Sequence, residues 1–233
     1  SGEFKDREVD GDFELTDTER MLIDSVAKMF HAEQKPVIVI LNVGNVIETV
    51  SWRNQVDAIM VGASTVVKDN PRLTTRMKNR KGKNPIRIIL DNNHRVPLTA
   101  QVFQNSLKEK VIYASSRKPP FSRAKKLAGM KVDLCVLPGR NGTLNLDRFM
   151  YKLGQQGITS LLIEGGGEVN ANALKSGIVD KAVFFVAPLL IGGITAPSAV
   201  GGSGISKLKD ACRLRRVKTM VLGEDLMIEG YCH

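Results

Sequence analysis

Three places in the chain close an apolar run with glycines or a cluster of polar residues, and each could do chemistry. The stretch LLIEGGGEVNANAL, residues 161–174, sets Glu164 and three consecutive glycines between a strand-like run and a helix-like one. Glycine loses more freedom on ordering than any other residue, so Gly165, Gly166 and Gly167 together need a reason. Backbone N–H groups at such a turn can approach a pyrophosphate, helped by the positive end of the following helix. A tight strand-to-helix turn with no ligand is the competing explanation. The stretch is not G-x-G-x-x-G, does not follow the first strand, and has no G-K-[ST] after it, so neither the dinucleotide fingerprint nor a P-loop is present. Glu164 beside an anion is electrostatically awkward. It points to two ligand groups meeting here, one anionic and one rich in N–H or O–H donors.

The second place is DAIMVGASTVVKDNPRLTTR, residues 57–76, where an apolar run ends at Gly62 and Ser64, Thr65 and Asp69 follow. Ligands of open α/β sheets sit at the carboxyl ends of strands. Thr65 offers a hydroxyl and an N–H to an anion, and Asp69 can accept from a ribose or an amide. Taken alone, Thr65 as a helix cap and Asp69-Asn70-Pro71 as a turn explain the stretch equally well. The third is PIRIILDNNHRVP, residues 85–97, a strand running into Asp91-Asn92-Asn93 with Arg95 behind. A guanidinium there suits a 2′-phosphate, although a lone arginine is more often surface decoration.

The elements that must position these residues alternate. Strand-like runs lie at 36–43, 57–62, 86–91, 110–114, 131–137 and 160–165, with helical patterns at 45–54, 64–69, 120–129, 145–154 and 168–176. Apolar runs without alternation predict strands covered on both faces, as in an α/β sheet. After Asp180 come runs at 180–190, 213–223 and 225–232, the last two predicting an antiparallel hairpin across Gly223-Glu224. The expected fold class is therefore α/β, a mixed and mostly parallel sheet with flanking helices and a C-terminal antiparallel hairpin. Met21, Leu22, Val26, Met29 and Phe30 recur at helical spacing behind a Thr16/Glu19 capping-box pattern. We divide the chain into an N-terminal extension with this helix, residues 1–34, and the domain proper, 35–233.

Composition is that of a soluble globular protein: 42% hydrophobic, 25% charged and 5% aromatic over 233 residues. No apolar stretch approaches the ~18 residues of a spanning helix, so no membrane partner is expected. Cys135, Cys212 and Cys232 lack C-x-x-C spacing and the three histidines are scattered, which predicts reduced thiols in a cytoplasmic protein and no metal site. A net charge of +10 suits phosphorylated ligands. The densest basic run, RMKNRKGK at 76–83, has no interleaved aromatics, which argues against nucleic acid and for a solvated loop.

In chain order, VDAIMVGASTVVKDNPRLTTR, NPIRIILDNNHRVPLTAQVF, LLIEGGGEVNANAL and VAPLLIGGITAPSAVGGSG resemble the reductase family of riboflavin biosynthesis, whose fold is similar to dihydrofolate reductase. The resemblance spans nearly everything after the N-terminal helix. It implies NADPH-dependent reduction of the ribosylamino side chain of 2,5-diamino-6-ribosylamino-4(3H)-pyrimidinone 5′-phosphate to the ribitylamino product. Carried over residue by residue, it implies Thr65, Asp69, Asn92, Arg95, Gly139, Gly165, Gly166 and Gly167 as cofactor contacts. Arg53, Leu73, Arg76 and Glu164 become substrate contacts, and a homodimer is implied. No catalytic acid can be assigned. The family carries a segment like S-x-D-G-K after its first strand, whereas LNVG (41–44) here runs straight into NVIETVSWRNQ. Connections usually take ~2–6 residues, so the expectation is that the protein carries a further segment at this point, a true deletion being the alternative. The zinc-deaminase pattern pairs H-x-E with P-C-x-x-C; the first occurs as His31-Ala32-Glu33 but the second does not, and the incomplete pattern favours the undeaminated substrate. Other readings are a same-fold reductase of the deaminated pyrimidine or a pterin-like compound, and a basic binding protein without catalysis.

Overall fold

The computed structural model describes residues 37–42, 52–75, 82–193, 196 and 198–232. The expected N-terminal helix, residues 43–51 with most of the helix expected at 45–54, and Arg76 lie outside the described residues. Nine strands are described: β1 (Val37–Asn42), β2 (Ala58–Gly62), β3 (Ile86–Leu90), β4 (Val111–Ser115), β5 (Asp133–Val136), β6 (Leu161–Ile163), β7 (Lys181–Val186), β8 (Arg215–Leu222) and β9 (Asp225–Tyr231). Helices α1 (Ala63–Asp69), α2 (Phe121–Gly129), α3 (Leu146–Gln155) and α4 (Gly167–Lys175) alternate with them, and residues 52–55 form a helical turn.

The strands form one sheet in the order β5-β4-β3-β2-β6-β1-β7-β9-β8. Every pair from β5 to β7 is parallel, and β9 runs antiparallel to both β7 and β8. The expected mixed, mostly parallel sheet with an antiparallel edge is what forms. The hairpin turns through two residues, with Leu222 opposite Asp225 and Gly223 at φ +66°, a conformation glycine adopts without steric cost.

Strand periodicity divides the core in two. Ile59, Val61, Ile89, Tyr113 and Leu162 pack on one face with Val66 of α1 and Leu127 of α2. Ala58, Met60, Ile88, Ile112 and Ile163 pack on the other with Phe149, Met150 and Leu153 of α3 and Ala173 of α4. All five residues of β2 and of β4 are buried, which explains their unbroken apolar runs. Each fully buried large aliphatic contributes about 1.5–3 kcal/mol.

The foot of the sheet is fastened by Asp57, just before β2. Its Oδ2 accepts hydrogen bonds from the Thr159 N–H and hydroxyl and the Ser160 N–H and hydroxyl at 2.9–3.1 Å. The Asp57 N–H in turn donates to Ser160 Oγ at 2.8 Å. Burial pushes the carboxyl pKa up, but these four donors outweigh it and hold the group below its ordinary value. β2 and β6 are thereby registered at one end, which sets where their other ends open.

Candidate active site at the carboxyl ends of the strands

The glycine turn forms directly after β6. Glu164 N–H donates to Met60 O at 3.0 Å and Gly62 N–H to Gly165 O at 3.2 Å, so the turn is tied to the end of β2. Gly165 has φ +106° and Gly166 φ +68°, backbone conformations that L side chains rarely adopt. A Cβ on Gly166 would lie 3.3 Å from Thr65 Oγ1. Gly167 is needed for a different reason: a Cβ there would sit 2.7 Å from Ser198 O and 2.9 Å from Gly201 N. Residues 198–202 close over this point, with Gly201 N–H donating to Gly167 O and Gly202 N–H to Glu168 Oε1, both at 2.9 Å. The first two glycines supply conformation and the third supplies room for a neighbouring backbone.

Beside the turn opens a cleft of about 910 Å³, lined by Gly62, Ala63 and Ser64, residues 90–93 with Arg95, residues 138–140 and 143–147, and one flank of α4. Of the residues singled out in the sequence, Asn92, Arg95, Gly139, Gly166 and Gly167 line it. Gly165, Thr65 and Asp69 are not among its lining residues. Thr65 is the third residue of α1, whose cap position is Gly62, so the capping explanation does not apply to it. It stands half-buried behind Gly166, and Asp69, one turn on, is exposed.

The 90–95 turn is held from below. Asp91, 1% exposed, accepts from Arg95 N–H (2.9 Å), Val96 N–H (2.7 Å) and Tyr113 hydroxyl (2.8 Å). Burial, and then the adjacent carboxylate, push the Tyr113 hydroxyl well above its ordinary pKa, so it remains a donor. His94 Nδ1 lies 3.1 Å from the same hydroxyl. Since that hydroxyl gives its proton to Asp91, His94 is the donor at Nδ1. Asn92 Oδ1 accepts from Ser116 N–H at 2.8 Å, and Arg95 Nη2 donates to Ser64 Oγ at 3.2 Å, bridging two strand ends at the lip. Gly139 N–H donates to Thr143 O at 2.9 Å, and a Cβ at Gly139 would meet that oxygen and Asn145 N at 2.8 Å, so a side chain is excluded there.

Arg53 and Glu164 form a second locus outside the cleft lining. Arg53 Nε and Nη2 donate to Glu164 Oε1 and Oε2 at 2.7 and 2.6 Å, a two-pronged pair, and Nη1 donates to Thr74 O at 3.2 Å. Their side chains are only 15% and 10% exposed. This corrects one expectation. The donor-rich group that Glu164 demands is supplied by the protein's own arginine, so Glu164 is not by itself a sign of a second ligand. Leu73 has φ +55° and is 3% exposed within the core, which leaves its backbone as the part able to meet a ligand.

Several cleft residues have no role in the sequence reading: Ser64 and Asn172 lie in the quoted stretches without an assignment, and Arg140, Asp147 and Lys175 belong to no motif. The one signal was Asn145, whose side chain caps α3 by accepting from Arg148 N–H at 3.0 Å and so fixes where Asp147 stands. Arg140 and Lys175 have no carboxylate partner among the described residues, and with Arg95 they favour anions.

Fold and cleft define an α/β protein with a polar, charge-lined groove at its strand ends. A model of the family described as RibD C-terminal domain matches residues 23–228, and the chain belongs to that family. It is 37% identical over 177 residues to the riboflavin biosynthesis protein RibD of Actinobacillus pleuropneumoniae, covering 76% of this chain but 46% of that protein. It is 36% identical, over 76% of this chain and 77% of the relative, to the 2,5-diamino-6-ribosylamino-4(3H)-pyrimidinone 5′-phosphate reductase of Aquifex aeolicus. Among solved structures, RibD of Acinetobacter baumannii superposes with a TM-score of 0.69 at 22% identity, covering 84% of this chain and 58% of that one. The chain thus spans about half the length of the RibD proteins it matches and most of the length of the Aquifex aeolicus reductase.

Proposed function

We propose that this chain is an oxidoreductase of riboflavin biosynthesis. In this reading it uses NADPH to reduce the ribosylamino side chain of 2,5-diamino-6-ribosylamino-4(3H)-pyrimidinone 5′-phosphate to the ribitylamino product. The observation that carries the reading is the glycine turn standing between two differently built loci, an anion-favouring cleft on one side and the Arg53–Glu164 pair on the other. Family membership and the names of the full-length relatives support the reaction.

The residues fit such a cofactor. The α4 N-terminus has no side-chain cap, and Gly166 and Gly167 line the cleft, so the turn and the helix start would seat a pyrophosphate. Arg95, steadied on Ser64, and Asn92 would take the ribose-phosphate end, with Gly139 on the facing wall and Thr65 and Asp69 supporting from α1. A reduced nicotinamide bound here supplies the hydride received by the substrate's C1′. Arg53 and Glu164, neutralised by each other, would hold the pyrimidine's polar edge without presenting net charge to it. Leu73 through its backbone, and Arg76, would complete the substrate side. The role of the chain is binding and orientation, which align the two reactants and exclude water.

The substrate is taken as the undeaminated diamino compound, and the site of action as the cytoplasm. No helix among the described residues is long and apolar enough to cross a membrane. Cys135, Cys212 and Cys232 are free thiols, as suits a reducing compartment. The working unit would be a homodimer. Edge strand β8 exposes Val217, Met220 and Val221, and Leu189, Leu190 and Ile191 are exposed nearby in sequence to β7. Such an apolar edge is a surface that a second copy can cover. Residues 35–233 would form the reductase domain and 1–34 an extension.

The decisive experiment follows loss of reduced-nicotinamide absorbance with the diamino substrate, its deaminated counterpart and dihydrofolate. Turnover should be fastest with the diamino compound. Turnover of the deaminated compound alone would reassign the substrate. Folded protein that turns over neither pyrimidine would sink the reading.

A further inference from the structure

Asp147, in the first turn of α3, lines the cleft, as does Asn172 of α4. Asp147 is half-buried, and among the described residues its carboxylate has no hydrogen bond and no ion pair. Burial alone raises its pKa, with no donor to offset the loss of water. A desolvated acceptor facing a ligand cleft is costly unless the ligand brings a donor. That donor cannot be a phosphate, which a carboxylate repels. The phosphate-favouring end is marked elsewhere, by Arg95 on Ser64 at the ends of β2 and β3. Of the donors left on an adenine dinucleotide (ribose hydroxyls, the carboxamide and the base amine), only the base amine stands beside ring nitrogens that accept. An amide such as Asn172 can serve those ring nitrogens from α4.

We propose that Asp147 is a specificity-determining residue that reads the base, accepting a hydrogen bond from the adenine amine. This rests on the reading of the cleft as a dinucleotide site and deepens it. Hypoxanthine places a keto oxygen where adenine carries the amine, so the same carboxylate would face lone pairs. A site built to bond a ligand N–H rejects an analogue lacking it more strongly than an apolar pocket rejects a change of shape.

The test compares NADPH with its deamino analogue, nicotinamide hypoxanthine dinucleotide phosphate, by calorimetric Kd on the full chain. The unaltered protein should bind NADPH about 10-fold or more tightly than the analogue, as expected of a hydrogen bond to a charged group. Asp147→Asn is isosteric and able to donate to the keto oxygen. It should bring the ratio to about one or below, mainly by weakening NADPH. Asp147→Glu keeps the acceptor and should retain part of the preference. Tight NADPH binding with a ratio near one in the unaltered protein overturns the assignment of Asp147 alone. So does a ratio left unchanged by Asp147→Asn, or a variant that alters only NADPH against NADH, which would place the carboxylate on the ribose. No binding of NADPH overturns the dinucleotide reading and this inference with it.

Discussion

Arg53 and Glu164 show what a pair of opposite charges does when it is taken largely out of water. Each is an expensive group to bury, and the two-pronged geometry offsets that cost only while both are present. Arg53→Ala should therefore destabilise the fold by about 3 kcal/mol, because it leaves a carboxylate buried and unpaired. The double change Arg53→Ala/Glu164→Ala should cost less than the sum of the single changes. Urea denaturation of the four proteins measures this coupling, and strict additivity would mean the pair is energetically idle. At the same scale, Gly166→Val forces a β-branched side chain to φ +68° and against Thr65 Oγ1. NADPH affinity should drop by about 100-fold, or ~2.7 kcal/mol. Unchanged cofactor affinity in a folded variant would make the turn structural only.

At the scale of elements, the strands were legible and the close approaches were not. The unbroken runs of β2 and β4 announce burial on both faces, and Gly223-Glu224 announces the hairpin, because each is a local pattern. The pairing of Arg53 with Glu164 joins residues 111 positions apart, and nothing in either neighbourhood predicts it. The same holds for Gly167, whose need for glycine comes from the backbone of 198–201 lying across it. Asp147 was invisible because an acidic residue in a helix's first turn is common for reasons of helix dipole alone. Asp57 belongs to this scale too, since its four bonds join β2 to β6. Its pKa is lowered by folding, so its contribution is present above the unfolded value near ~3.9 and is lost as pH falls through the folded one. Asp57→Asn should cost about 1–3 kcal/mol at neutral pH. It should also flatten the dependence of stability on pH in the acid range below ~4. Melting temperatures of both proteins across that range give the comparison, and parallel curves would remove Asp57 from the acid response.

For the whole molecule, the exposed apolar edge of β8 predicts self-association. Met220→Lys/Val221→Lys should shift sedimentation from dimer to monomer without loss of the parallel sheet, since both side chains are more than half exposed. A dimer that survives the double change would place the interface elsewhere. The Asp57 fastening and the ligand cleft sit at opposite ends of the same two strands, about five residues apart along β2 at ~3.3 Å each. The protein is in effect a clamp gripped at the heel and left open at the toe. Substitutions at the toe can therefore accumulate and re-tune which base or ring is accepted, while the heel keeps the strands in register. A lineage built this way can change what it binds without first having to relearn how to fold.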